Sequence, residues 1–126
     1  MPLADARPVA IVVTRDRKVA EPFYGETLGL RRLPGDDFAA VFDLAGAKLR
    51  LTEAPDHAAS PHPVLGWEVP DIEAAVAALG ANGVAVNRYE GMGQDELGIW
   101  TSPDGRARVA FFNDPDGNGL SLMQSC

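Results

Sequence analysis

Phe111-Phe112-Asn113-Asp114-Pro115-Asp116-Gly117-Asn118-Gly119-Leu120-Ser121-Leu122-Met123-Gln124 passes from an apolar stretch through a dense turn signal into an alternating stretch, without a spare residue between them. That order reads as strand, tight turn, strand. Pro115 presets φ for the turn, the Asp114 and Asp116 carboxylates are placed to accept from nearby backbone amides, and Gly117, Asn118 and Gly119 tolerate the positive φ a reversal demands. Taken alone, the motif shapes a hairpin.

Upstream of it the chain says the same thing twice. Val9-Ala10-Ile11-Val12-Val13-Thr14 is a β-branched strand leading to Asp16, then a mostly helical stretch carrying Val19, Ala20, Phe23, Tyr24 and Leu28, closed by Gly29. Val64-Leu65-Gly66-Trp67-Glu68-Val69 leads to Asp71, placed to N-cap a helix that buries Ile72, Ala75, Val76 and Leu79 before Gly80 and Gly83 end it. Val64 and Asp71 each lie 55 positions beyond Val9 and Asp16. The shared offset predicts two βα units of similar build, each followed by strands.

Those strands are expected near Arg31 to Leu33, Phe38 to Leu44 and Ala47 to Thr52 in the first unit, and near Val84 to Tyr89, Leu97 to Thr101, Arg106 to Phe112 and Leu120 to Met123 in the second. The loop from Glu53 to Pro63, with three prolines, is the seam between a first module of about 8–53 and a second of about 64–124, the linker taking about 54–63. Pro22 would remove a hydrogen bond from a helix begun just after Asp16, so the first helix is expected to start nearer Val19 or to be irregular at its first turn.

With 126 residues and 46% hydrophobic content, the chain suits one domain with a real core. The formal net charge of −7 argues against a nucleic-acid partner, because neutralising phosphates needs clustered Lys and Arg. The one cysteine, Cys126, excludes an intramolecular disulfide and a redox motif, which points to the cytoplasm. No apolar run approaches the roughly 20 residues of a membrane span, and Met1-Pro2-Leu3-Ala4-Asp5-Ala6-Arg7 lacks the apolar segment of a signal peptide, so no membrane partner is expected.

Two βα-plus-strands units, with Phe23-Tyr24 and Leu28-Gly29-Leu30 in the first and Phe112-x-Asp114-Pro115-Asp116-Gly117-Asn118 in the second, resemble the vicinal oxygen chelate superfamily over nearly the whole chain. That superfamily includes glyoxalase I, bleomycin-resistance proteins and extradiol dioxygenases. The resemblance implies an α+β fold of two βαβββ modules, each curling its strands into half a barrel, with the ligand in a concave half-barrel cleft. It also implies a homodimer, which the strand edges left needing cover support independently. Sedimentation showing only a 13.4 kDa species at micromolar concentration would count against it.

Metal-binding members use a His on the first strand of each module and a Glu on the final strand, a set that leaves coordination positions open for two vicinal oxygens. Counting back seven from Asp16 and from Asp71 gives Val9 and Val64, and the final-strand position holds Ser121. Valine offers no donor and a neutral serine hydroxyl is a weak ligand, so the standard site reads as dismantled and no cofactor is expected. A divalent metal survives only as an alternative through His62, in Ser60-Pro61-His62-Pro63, with Glu68 as partner; His57 lies farther back in the linker.

Without a metal, the cleft is defined by what lines it. Val9, Ile11 and Val13, then Val64, Gly66 and Glu68, and on the last strand Gly119, Ser121 and Met123 share the phase of the absent ligands. Glu68 is either a carboxylate that favours a cationic ligand and could serve as a general base, or a solvent-facing group paired with Arg50 or Arg108. Trp67 is expected beneath the helix, while Tyr89 and Trp100 are candidates for stacking a planar ligand. The segment Glu90 to Glu96 is either a flap or an ordinary hairpin loop, and Gln94-Asp95-Glu96-Leu97-Gly98-Ile99-Trp100 resembles a run in an uncharacterised branch of the superfamily.

The function expected is therefore binding or sequestering of a planar or cationic small molecule. The ligand-binding residues would be Glu68, Tyr89, Trp100, Ser121 and Met123. The alternative is a glyoxalase-like lyase, isomerase or dioxygenase with a non-standard metal site or with Glu68 as a metal-free general base.

Overall fold

The computed structural model describes residues 2–125; Cys126, on which the disulfide reading rests, lies outside the described residues. The chain divides after Ala58 into two units, each with its own four-stranded sheet. Among the described residues no helix is long and apolar enough to cross a membrane.

In the first unit the β-branched run Val9–Thr14 forms β1. Asp16 caps the helix α1 (Arg17–Pro22) by accepting from Lys18 N at 2.9 Å. The helix thus begins directly after its cap and not nearer Val19, and Pro22 acts at its other end. Lacking an N–H, Pro22 cannot close a turn onto the carbonyl four residues back, and the chain widens into a π-helical turn over Phe23–Thr27, where Leu28 N donates to Phe23 O at 2.9 Å. That turn drives Tyr24 into the core, fully buried and within ring contact of Phe42.

Strands β2 (Arg32–Leu33), β3 (Ala39–Leu44) and β4 (Ala47–Glu53) complete the sheet in the order β1-β4-β3-β2, with β1 parallel to β4. Val12, Leu49, Leu51, Ala40 and Phe42 line its helix-covered side, whereas Val9 and Ile11 stand exposed on the other.

At the rim of this unit Glu21 lies between Arg17, at 2.7 Å, and Arg32, at 2.8 Å. Burial works to raise its carboxyl, but hydrogen bonds and charge from the two guanidiniums hold it below its ordinary value. A carboxyl depressed in the folded state contributes stability that is present above its unfolded value and lost as pH falls through the folded one. Glu21→Gln is expected to flatten the acid limb of a Tm-against-pH profile below about pH 4.5 and to shift it evenly above about pH 6. An acid limb as steep as in the unsubstituted protein would contradict this.

The second unit repeats the plan. Strand β5 (Pro63–Glu68) leads to Asp71, which caps α2 (Ile72–Ala81) by accepting from Ala74 N at 3.1 Å, while the Gln124 side chain accepts from Ile72 N at 2.8 Å. Strands β6 (Trp100–Thr101), β7 (Ala107–Asn113) and β8 (Gly119–Ser125) follow, in the sheet order β5-β8-β7-β6 with β5 parallel to β8. Ile72 and Val76 bury against a side carrying Phe112, Ala110, Leu120 and Leu122, and Trp67 stacks on Phe112 with ring centroids 6.4 Å apart.

Two expected strands are corrected. Val84 to Tyr89 forms none: Asn87 N reaches Phe111 O at 2.7 Å, but the Gln94 side-chain amide takes the neighbouring backbone groups. It donates to Asn87 O at 2.8 Å and accepts from Tyr89 N at 2.6 Å, filling positions a partner strand would use. The strand expected from Leu97 shrinks to Trp100–Thr101, because the Asp95 carboxylate draws Leu97 N and Ile99 N into a turn, each at 2.9 Å, with Gly98 at φ +84°.

In the hairpin between β7 and β8 only Gly117 adopts positive φ, at +86°; Asn118 and Gly119 do not. Gly119 is needed for room instead, since a Cβ there would lie 3.1 Å from Pro63 Cα and 3.3 Å from His62 O.

Candidate functional site

Register places the candidate residues of the second unit on one side of its sheet. Trp100 pairs with Val109, Val109 with Met123, and Met123 with Glu68, so these four form a row across all four strands. Beside it, about 7 Å along the strands, Phe111 pairs with Ser121 and Ser121 with Gly66. Helix α2 covers the opposite side, and this open side keeps Met123 38% exposed and Tyr89 50% exposed. Trp100, Phe111 and Ser121 are half-buried.

Tyr89 joins this face from the loop. Its ring meets Phe111 edge-on at 5.9 Å, and its hydroxyl oxygen accepts from Asn87 Nδ2 at 3.3 Å. The loop behind it is fastened: Gln94 also donates to Gly98 O at 2.9 Å, and Arg88 donates to the carbonyls of Asp95 and Glu96. The resembling run from Gln94 to Trp100 is thus a structural clasp that fixes where Tyr89 and Trp100 emerge.

Glu68 is exposed at the β5 edge and accepts from Ser125 Oγ at 3.4 Å. Neither arginine suggested as its partner is used on it. Arg50 pairs with Asp36 at 3.1 Å, and Arg108 with Glu73 at 3.1 Å and Asp95 at 3.7 Å. Gly66 makes room for its partner Ser121, whose Oγ fills the space a Cβ at position 66 would take.

His62 sits exposed in the bend ahead of β5, its backbone N–H donating to Ser60 Oγ at 3.1 Å. A divalent ion held by two imidazoles and a carboxylate does not fit Val9, Val64 and Ser121, which provide two alkyl groups and one neutral hydroxyl. Among the described residues no group of three His, Cys, Asp or Glu side chains is arranged to hold a metal ion.

Sequence reasoning did not single out Val109, Phe111, Asn87, Asn113 or Gln94. Alternation in Ala107–Asn113 could have found Val109 and Phe111, since they share the phase of Ser121 and Met123 once the strands are paired. Nothing local marks the three amides.

A family model described as the Glyoxalase/Bleomycin resistance protein/Dioxygenase superfamily matches residues 8–122. Among solved structures the chain is similar to TnmS3, an antibiotic binding protein from Streptomyces sp. CB03234, with 26% identity, 98% of each chain covered and a TM-score of 0.73. It is also similar to a glyoxalase/bleomycin resistance protein/dioxygenase from Alicyclobacillus acidocaldarius (17% identity, 99% of this chain and 95% of that one, TM-score 0.74). A third is a lactoylglutathione lyase from Agrobacterium tumefaciens (15% identity, 95% and 93%, TM-score 0.73). At these last identities the likeness is one of fold. No curated protein matches the sequence.

Proposed function

The chain belongs to the Glyoxalase/Bleomycin resistance protein/Dioxygenase superfamily, and within it we propose that this protein binds a flat, apolar small molecule carrying a cationic group on the open face of its second sheet. The observation that carries the reading is the row Trp100, Val109, Met123, Glu68: an aromatic edge, an apolar floor and one carboxylate at the far side. Flat rings gain by stacking on Trp100 and lying against the Met123 thioether, and the Glu68 charge favours a cation over a neutral or anionic group. The antibiotic-binding TnmS3, similar over 98% of both chains, supports a small-molecule-binding role.

The test is thermal-shift titration with 9-aminoacridine, a planar cation, alongside Ni²⁺, Zn²⁺, Mn²⁺ and Fe²⁺ on the protein and on His62→Ala. Stabilisation by the acridine, recovered unchanged, with none by the metals is the expected result. Stoichiometric metal, or metal stabilisation abolished by His62→Ala, would instead make a metal-dependent enzyme the better reading.

A further inference from the structure

The tight turn after β7 and the tyrosine of the open face are joined by a chain of amides whose orientations are forced one by one. Gly117 O can only accept, and Asn113 Nδ2 donates to it at 2.8 Å. This turns Asn113 Oδ1 outward, where Asn87 Nδ2 donates to it. The Asn87 amide is thereby fixed, and the same Nδ2 reaches Tyr89 Oη at 3.3 Å. A phenol has one proton, and here its oxygen is the acceptor toward Asn87, so the O–H is directed elsewhere.

The rest of the residue is held as well, its N–H by Gln94 Oε1 at 2.6 Å and its ring by Phe111. A half-exposed tyrosine on a loop gains little stability from three such restraints. Their combined effect is a phenolic donor oriented beside Phe111 and Asn113, at the edge of the open face, before any ligand arrives, which reduces the ordering cost of binding.

We infer that Tyr89 is a pre-set hydrogen-bond donor that selects, among flat compounds, those with a neutral acceptor such as a ketone oxygen at the ring edge. This rests on the reading of the open face given above. A ligand without the acceptor leaves the phenol unpaired in the complex, and that difference is expressed as specificity.

The experiment compares 2-acetylnaphthalene with 2-isopropenylnaphthalene, in which a methylene replaces the oxygen, by quenching of tryptophan fluorescence. The protein is expected to bind the ketone about tenfold more tightly. Tyr89→Phe should erase that preference, bringing the affinities of the two compounds together. Asn87→Asp should erase it too although the phenol is intact, because a carboxylate accepts the phenolic proton for itself; a merely structural role for Asn87 would weaken both compounds alike. Equal binding of the two by the unsubstituted protein, or a preference that survives either substitution, overturns the inference and leaves the binding face standing. Failure of both compounds to bind a natively folded protein overturns the inference, while the binding face is decided separately by the 9-aminoacridine titration.

Discussion

Asp114→Ala is expected to lower the stability of the protein by about 3 kcal/mol, near the top of what a single turn residue contributes. The carboxylate is buried, with the residue 5% exposed, and it accepts from Asp116 N and Asn118 N, each at 2.9 Å, and from Asn118 Nδ2 at 2.8 Å. Asn118 is itself only 2% exposed. Truncation leaves its two donors without the carboxylate in a place water does not readily reach, and each such group costs about 1–3 kcal/mol. Urea unfolding should show a lower midpoint with an unchanged slope.

The comparison that sharpens this is Asp104→Ala, in the similarly composed turn Ser102-Pro103-Asp104-Gly105. Asp104 accepts from Ser102 Oγ at 2.6 Å and from Arg106 N at 3.0 Å, but it does so in solvent, where water replaces what is lost. Its substitution should move the midpoint far less. Equal effects at the two turns would show that burial is not what gives Asp114 its weight.

Trp100→Ala is expected to weaken 9-aminoacridine binding by roughly ten- to a hundredfold, the range that removal of one stacking partner produces. Trp100→Phe should retain most of the affinity, which separates lost stacking from lost packing around β6. Glu68→Gln is expected to reduce affinity about tenfold at low salt and progressively less as ionic strength rises, because the carboxylate is exposed and its attraction is screened. Binding unaffected by both Trp100→Ala and Glu68→Gln would place the ligand off this face.

Much of the fold was readable in single residues. The 55-residue offset between Val9 and Val64 became two sheets of the same strand order, and Asp71 caps the helix expected of it, whereas Asp16 caps a first helix that was expected to begin later. Phase along the strands was readable too: Ile11 and Met123 are exposed, as the two-residue repeat requires, while Val12 and Leu122 are buried. What failed were segments where a side chain stands in for backbone. Gln94 fills the hydrogen-bonding positions that would have made Val84 to Tyr89 a strand, and an amide seven residues away leaves no periodic trace.

The sequence by itself determined the module repeat, through its 55-residue offset, and also the hairpin, the Asp71 cap and the alternation that sends Ser121 and Met123 to one side of their strand, because these last depend on neighbours a few residues apart. Only the tertiary structure decided that Trp100 and Glu68 lie at opposite ends of one row, since the register of four strands sets that. It also decided which of two similar turns is buried, and that the buried one orients Tyr89 through Asn113 and Asn87. Those arrangements come from pairing and desolvation between segments up to 57 residues apart, for which local composition carries no signal.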